Sequence, residues 1–526
     1  MRWSIVKNLF MINLLYVNPQ YTSLKRNKVK LKQGNLQKSL LRNLLLQQVF
    51  AIIFLVIFMG LVDYKMAANK YHINIIFMLL FGILTITTPF FNTFYEDKDT
   101  PNITVLPITE KEVFASKFLI LLGQISGIIL AVIASNIIAN IKLQGFNIIS
   151  ILLIFIYSIA LLISFFSTVI IIFSLLAKTK LFKKYKTTMN VVITIISIVI
   201  AMGFYGAINF FNTNNISYEY YEGDFLYNIV SSTLTTSSLL SILLIVIAAI
   251  ISLFILNLVT IKSYFTDIIG YKVTNKVKPK NIISTNINLN KIFRKMTLKS
   301  FTDSTLISQN ILAPAIIVML FLGLIMGIRG ASFLQQGYVL TPTAIVVGSV
   351  LSLCMYGNGS FSALAISIDY KNFSFLKTLP MNMKKFVFQK LFIALLLQIA
   401  ITSIIFLLII ILLNTSAYFL VFSYIAFLVG SITYSVYLFT KDYYNPFLGW
   451  SNIQQLILRG ASNLKLWLIF FLFIFICGAI IAFTVIVTIN FPNLWIVLTA
   501  IYLIIVAIIV STVLIRFKKQ VLNSLD

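Results

Sequence analysis

Runs of about 20 apolar residues recur along this 526-residue chain, and nothing else in it narrows the fold so much. A helix of that length crosses the hydrocarbon core of a bilayer, where each backbone polar group must find its partner within the segment. Twelve runs can be read. The first half has them near 46–64, 74–94, 118–139, 147–177, 188–210 and 238–260. The second half has them near 310–328, 341–367, 391–413, 417–439, 466–488 and 494–515. The 147–177 run has room for a tilted helix and an interfacial turn. Apolar residues make up 60% of the chain and charged ones 10%, against about 25% charged in a soluble domain. An ordinary soluble enzyme or binding module is excluded. The fold class expected is an all-α polytopic membrane protein of about twelve transmembrane helices.

Charge placement sets the expected orientation. The chain carries 41 Lys+Arg against 14 Asp+Glu, a net charge of +27. Such a balance can signal nucleic acid, but the cations sit in the connections between spans, where the positive-inside rule explains them. No nucleic-acid partner is expected; anionic lipid is. With the N-terminus inside, 37 of the 41 fall on the inner side, and only Lys65, Lys70, Lys142 and Arg329 lie outside. Both termini are therefore expected in the cytoplasm. The outer connection after the fifth run holds only acids, Glu219, Glu222 and Asp224. The apolar stretch Phe10–Val17 is too short for a cleavable signal peptide, which leaves insertion to the first span. Cys354 and Cys477 lie within apolar runs and have no metal-ligand spacing. His72, the one histidine, reads as a solvated residue in a short polar connection.

The halves repeat. Glu96, Lys98, the pair Leu106-Pro107, Lys111 and Lys117 precede the third run. Asp369, Lys371, the pair Leu379-Pro380, Lys384 and Lys390 precede the ninth, each 273 residues further on without a gap. Six spans per repeat preserve orientation, so the repeats are expected to be parallel. The organisation read from this is a basic, interfacial N-terminal segment at 1–45 and a first six-span repeat at 46–261. A basic cytoplasmic linker follows at 262–307, then a second six-span repeat at 308–526.

Chemistry is sparse. Almost no ionisable group lies inside a run, Asp63 and Arg329 being at the ends, which weighs against ion-coupled transport. The polar residues within runs are mild: Gln124 and Ser126 in the third, Asn358 and Ser360 beside Gly357 and Gly359 in the eighth, and Gln398 in the ninth. Helix–helix hydrogen bonding is their plainer role, and lining a transport path the sharper one. There is no GxSxG, no HExxH and no GxxxxGK[ST], and no segment outside the membrane is long enough for a nucleotide-binding domain. Neither catalysis nor a resident cofactor or metal is expected. Any ATP and magnesium would be held by another chain.

Residues 3–14 and 36–50 show helical spacing of apolar side chains, which suits helices lying on the inner leaflet. After each Leu-Pro pair, Thr109 or Asn382 is placed to cap the helix entering the next span. The result is a short cytoplasmic elbow at matching places in the two halves.

The order acid, base, Leu-Pro-Ile/Met, polar helix start and lysine resembles the membrane subunits of type-2 ATP-binding-cassette (ABC) exporters. Leu376-Lys-Thr-Leu-Pro380-Met, with Asp369 before it, is the best match. The whole chain is similar to a fused two-repeat permease of the kind found in low-GC Gram-positive bacteria. The resemblance implies a multi-pass protein of the bacterial cytoplasmic membrane that exports hydrophobic or amphipathic cargo such as a peptide, lipid or antimicrobial compound. It implies that a cytosolic ATPase, in two copies, docks on the loops between the second and third spans of each half. Carried over, the docking residues are Glu96, Lys98, Leu106, Pro107 and Lys111 at one elbow. Asp369, Lys371, Leu379, Pro380 and Lys384 form the other. Pro101, Asp97 and Asp99 depart from the pattern in the first half. One fused chain or a homodimer could form the permease. The competing expectation is an ATP-independent twelve-span secondary transporter or lipid-linked flippase.

Overall fold

The computed structural model describes residues 2–17, 39–42, 45–46, 48–49, 52, 68–94, 107–184, 188–189, 191–200, 203, 225–261, 289–303, 306–315, 337–369, 382–412, 415–447, 453–458 and 463–523. All regular structure among them is helical. Seven helices are long and apolar enough to cross a membrane, and Met78–Phe91, Val191–Ile200 and Phe475–Asn490 form shorter apolar stretches. The chain is thus a helical membrane protein. The runs at 46–64 and 310–328 lie almost wholly outside the described residues. Two compact units divide the chain near Lys280.

The first unit contains α1 (Trp3–Val17), α2 (Ala68–Phe94), α3 (Glu110–Gln144), α4 (Ile148–Lys178), α5 (Phe225–Ser231) and α6 (Thr236–Leu256). The run at 147–177 is one helix of 31 residues with no interfacial turn. Its start is set by Asn147, whose side chain accepts a hydrogen bond from the Ile149 amide at 3.0 Å. At about 1.5 Å per residue it is ~46 Å long, enough to reach beyond the hydrocarbon core. α3 begins eight residues before its apolar run because Thr109 supplies the cap: its amide donates to the Glu112 carboxylate at 3.1 Å.

α1 buries Val6, Leu9, Asn13 and Leu14 along one face, which packs on α3. Trp3 and Ile12 on the same helix stay exposed. Of the second interfacial stretch, residues 39–42, 45–46 and 48–49 are helical. Leu40 is buried, and Gln48 reaches the α3 backbone, donating to the Gln124 carbonyl at 3.0 Å and accepting from the Gly127 amide at 2.8 Å. His72 belongs to α2 rather than a connection; half-buried, it meets the Tyr71 ring edge-on.

Polar side chains spaced four apart tie α3 to its neighbours. Asn136 accepts from the Tyr71 hydroxyl of α2 at 2.9 Å and donates to Ser158 of α4 at 2.9 Å. Asn140 donates to the Val230 carbonyl and to Thr233, and accepts from Ser150 at 3.0 Å. Gln144 also reaches Thr233, at 3.2 Å. Removed from water, each of these groups would cost free energy without a partner, so the ladder fixes which helices meet.

The second unit contains α7 (Leu289–Phe301), α8 (Thr341–Met355), α9 (Phe361–Leu364), α10 (Met383–Leu412), α11 (Ala417–Tyr444), α12 (Asn463–Asn490) and α13 (Trp495–Phe517). The span read at 341–367 is not continuous. α8 stops at Met355, Tyr356 turns to extended backbone, and Gly357-Asn-Gly-Ser360 form a turn before α9. Two glycines and an asparagine favour the turn, and Ser360 caps the new helix by accepting from the Ala363 amide at 3.3 Å.

α8 and α11 share the longest seam of this unit, made of small residues. Ala344, Gly348 and Ser352 recur every fourth residue on α8, and Gly348 and Ser352 meet Ser423, Ala426 and Gly430 of α11. A Cβ on Gly348 would stand 2.1 Å from the Ser423 carbonyl oxygen, and one on Gly430 would stand 2.1 Å from Ser352 Oγ. At Gly348 only hydrogen fits, and the backbones approach closely as a result. α8 is largely enclosed, whereas the most apolar stretch of α13 has no buried residue.

Candidate functional site

The elbows are anchored from inside. α3 starts at Glu110 and α10 at Met383, again 273 residues apart. Both starts are capped as expected, the second by Asn382, whose side chain accepts from the Lys385 amide at 3.1 Å. Eight positions in, each helix turns a fully buried lysine toward the segment preceding its elbow. Lys117 donates to the Thr93 carbonyl at 2.8 Å. Thr93 is in the last turn of α2, where carbonyls lack helical partners and a cation suits the helix dipole. Around this contact lie the rings of Phe90, Phe91, Phe94, Phe114 and Phe173, with neighbouring centroids 5.1–5.6 Å apart.

In the second unit Lys390 pairs with Asp369, both buried. Asp442 of α11 stands beside them. Its carboxylate accepts from the amides of Ile366 and Ser367, at 2.7 and 3.1 Å, and from the Ser367 hydroxyl. Ser367 in turn accepts from the Phe447 amide at 2.8 Å. Two acids and a lysine hold the segment after α9 against α10 and α11.

Asp369, expected among the docking residues, is buried and paired with Lys390. An acid in a polar connection reads as solvated; its lysine lies 21 residues away on the next helix. Pro107 and Lys111 are exposed, and Lys384 is half-buried. Glu96, Lys98, Leu106, Lys371, Leu379 and Pro380 lie outside the described residues.

The first elbow has an additional clamp. Arg2, just before α1, donates from its amide to Glu112 at 2.7 Å. Its guanidinium donates to both carboxylate oxygens at 3.1 Å and to the Pro107 carbonyl at 2.7 Å. One fork-shaped cation thus joins the N-terminal helix to the proline and the first turn of α3. The Arg2 guanidinium is held more firmly protonated than usual by its hydrogen bonds to Glu112. Spacing gave no sign of this pair, whose members are 110 residues apart.

Of the polar residues named within runs, Ser360 and Gln398 come together. Gln398 accepts from the Phe361 amide at 3.0 Å while Ser360 caps the same short helix. Among the described residues the Gln398 amide nitrogen has no partner, nor has the hydroxyl of Ser362. Asn358 lies in the turn itself. Asn310, absent from the sequence reading, donates to the Gly359 carbonyl at 3.0 Å. Nearby, the Tyr356 hydroxyl stands among those of Thr402, Ser431 and Ser435. These hydroxyls form one buried polar cluster between α8, α10 and α11. In the first unit, Gln124 is half-buried with its side-chain oxygen unpartnered, and Ser126 bonds back to the Gly123 carbonyl at 3.0 Å. The Asn136–Asn140–Gln144 ladder was missed, although a four-residue spacing of amides in an apolar run could have shown it. Among the described residues no cluster of His, Cys, Asp or Glu could hold a metal.

No known family matches the chain, and neither a curated protein nor a solved structure does.

Proposed function

We propose that the chain is the permease subunit of an ABC exporter, with twelve spans in two parallel six-helix repeats and both termini in the cytoplasm. A separate cytosolic ATPase, in two copies, docks on the two elbows and supplies ATP and magnesium. The observation that carries this reading is the paired elbow: α3 and α10 start 273 residues apart on capped turns, each with a buried lysine at its eighth position. A capped, internally anchored helix start can pass a push from outside the membrane into a spanning helix without dissipating it in a loose loop. The ATPase would then shift one half against the other and open a path for hydrophobic or amphipathic cargo across the cytoplasmic membrane. The proposed docking surface comprises Pro107, Lys111 and Lys384 with Glu96, Lys98, Leu106, Lys371, Leu379 and Pro380.

The test is co-purification from the native membrane in mild detergent. A stoichiometric ABC ATPase is expected, and Lys111→Glu with Lys384→Glu should release it while the permease stays folded. A chain that repeatedly purifies alone would defeat the proposal. One observation favours the runner-up, an ATP-independent transporter or lipid-linked flippase: the break between α8 and α9, where the Gln398 amide nitrogen and the Ser362 hydroxyl have no partner among the described residues. Interrupted helices of this kind form substrate sites in secondary transporters. Transport by the purified chain in vesicles without ATP would select that reading.

A further inference from the structure

Where α11 and α13 end side by side, they enclose a cavity of about 230 Å³ lined by Tyr437, Lys441, Tyr444, Asn445, Arg516 and Gln520, among others. We propose that this cavity binds the phosphate headgroup of an anionic phospholipid.

Charge is the first argument. Lys441 and Arg516 have no acidic partner among the described residues, and no acid lines the cavity. Asp442, next to Lys441 in sequence, is buried on the opposite side and committed to Ile366 and Ser367. Ammonium and guanidinium groups donate hydrogen bonds and accept none, so an anion is what this pair can satisfy. Asn445 and the tyrosine hydroxyls add neutral donors around it.

Size is the second. Sites for a drug-sized ligand begin near ~300 Å³. This cavity is smaller, with room for a headgroup and not for a whole amphiphile. The rest of the ligand must lie elsewhere, and the helices provide for it. Ile505, Ile508 and Ile509, in the turns of α13 that precede Arg516, are exposed apolar side chains. Acyl chains can run there while the phosphate stays at the polar end. A soluble phosphate would leave that apolar approach without a purpose.

Local backbone is the third. α13 passes at Lys518 into a π-turn, Lys518–Leu522. The wider turn still buries Phe517 and Val521 against the unit, while Arg516 and Gln520 line the cavity together.

The test uses the purified full chain in detergent, titrated with phosphatidylglycerol, phosphatidylcholine or inorganic phosphate and read by native mass spectrometry. Phosphatidylglycerol should bind in preference to phosphatidylcholine, and millimolar phosphate should not displace it. Lys441→Gln with Arg516→Gln should lose about thirtyfold in affinity, two surface cations contributing about fivefold each. Lys441→Arg with Arg516→Lys should keep the preference. Lys518→Gln with Lys519→Gln, which alters the neighbouring charge outside the cavity, should leave it. Equal binding of both lipids, ready displacement by phosphate, or an equal loss in the Lys518/Lys519 variant would overturn the assignment. If the cavity variant does not fold, a photoactivatable headgroup probe on the unaltered chain decides. Labelling within 437–445 and 513–520 supports the site, and labelling elsewhere refutes it. None of these outcomes depends on an ATPase being the partner.

Discussion

Replacing Gly348 with alanine puts a methyl group in place of one hydrogen at the tightest point between α8 and α11. The new Cβ would stand 2.1 Å from the Ser423 carbonyl oxygen, 2.9 Å from its carbon and 3.1 Å from Ala426 Cβ. Relaxed non-bonded contacts are about 3.5 Å or more between carbons, so the helices must separate by roughly 1 Å. The obstructing atoms belong to backbone and cannot rotate away. Overpacking of this kind costs about 1–3 kcal/mol. Alanine recovers part of it, about 0.5–1 kcal/mol, through its better helix propensity. The expected net loss is ~1–2 kcal/mol. A thermal melt of the detergent-solubilised chain, followed by the surviving monodisperse fraction, should show a clearly lower midpoint. Gly478→Ala is the control, since nothing lies within 4 Å of its new Cβ. Gly430→Ala should fall between the two, because its nearest obstruction is the Ser352 hydroxyl, which can turn aside. If Gly348→Ala melts with Gly478→Ala, the close seam is wrong.

Lys390→Met alone should strand Asp369 and lower stability by about 3–5 kcal/mol, whereas Lys390→Met with Asp369→Leu should recover most of it, as a denaturation series on both would show. Asn136→Leu should cost about 1–2 kcal/mol by separating Tyr71 from Ser158, and Tyr71→Phe should add little to it in the same background. Arg2→Ala should leave the melting point nearly unchanged but expose α1 to hydrogen exchange and proteolysis, while Arg2→Lys should restore only part of the protection. Uniform protection of α1 in Arg2→Ala would show that its apolar face holds it without the clamp.

The spanning helices could be read from the sequence because their signal is additive: twenty apolar residues outweigh a few polar ones. The run at 417–439 corresponds to Ala417–Tyr444 and that at 494–515 to Trp495–Phe517. Starts were less legible. α3 and α10 begin eight residues before their apolar runs, in polar turns such as Glu110–Lys117 that hydropathy passes over but Thr109 and Asn382 cap. The polar residues at 357–360 were found, yet taken for side chains within a helix. Their backbone consequence, a chain break, overrode the apolar residues on either side. At the elbows the spacing of 273 picked out Lys117 and Lys390, but not which way they or Asp369 face. Burial of a charge is decided by a partner distant in sequence, and so is the Arg2–Glu112 pair.

That last pair has a consequence for synthesis. Glu112 leaves the ribosome 110 residues after Arg2. At about 5–20 residues per second, α1 exists for roughly 5–20 s before the helix it packs against has been made. During that interval Val6, Leu9 and Leu14 have no α3 surface to cover them, and a bilayer surface is an apolar phase that could. The amphipathic pattern that reads as a membrane-surface helix would thus describe where α1 waits, and the guanidinium clamp where it ends. The first elbow becomes complete only once α3 has been delivered.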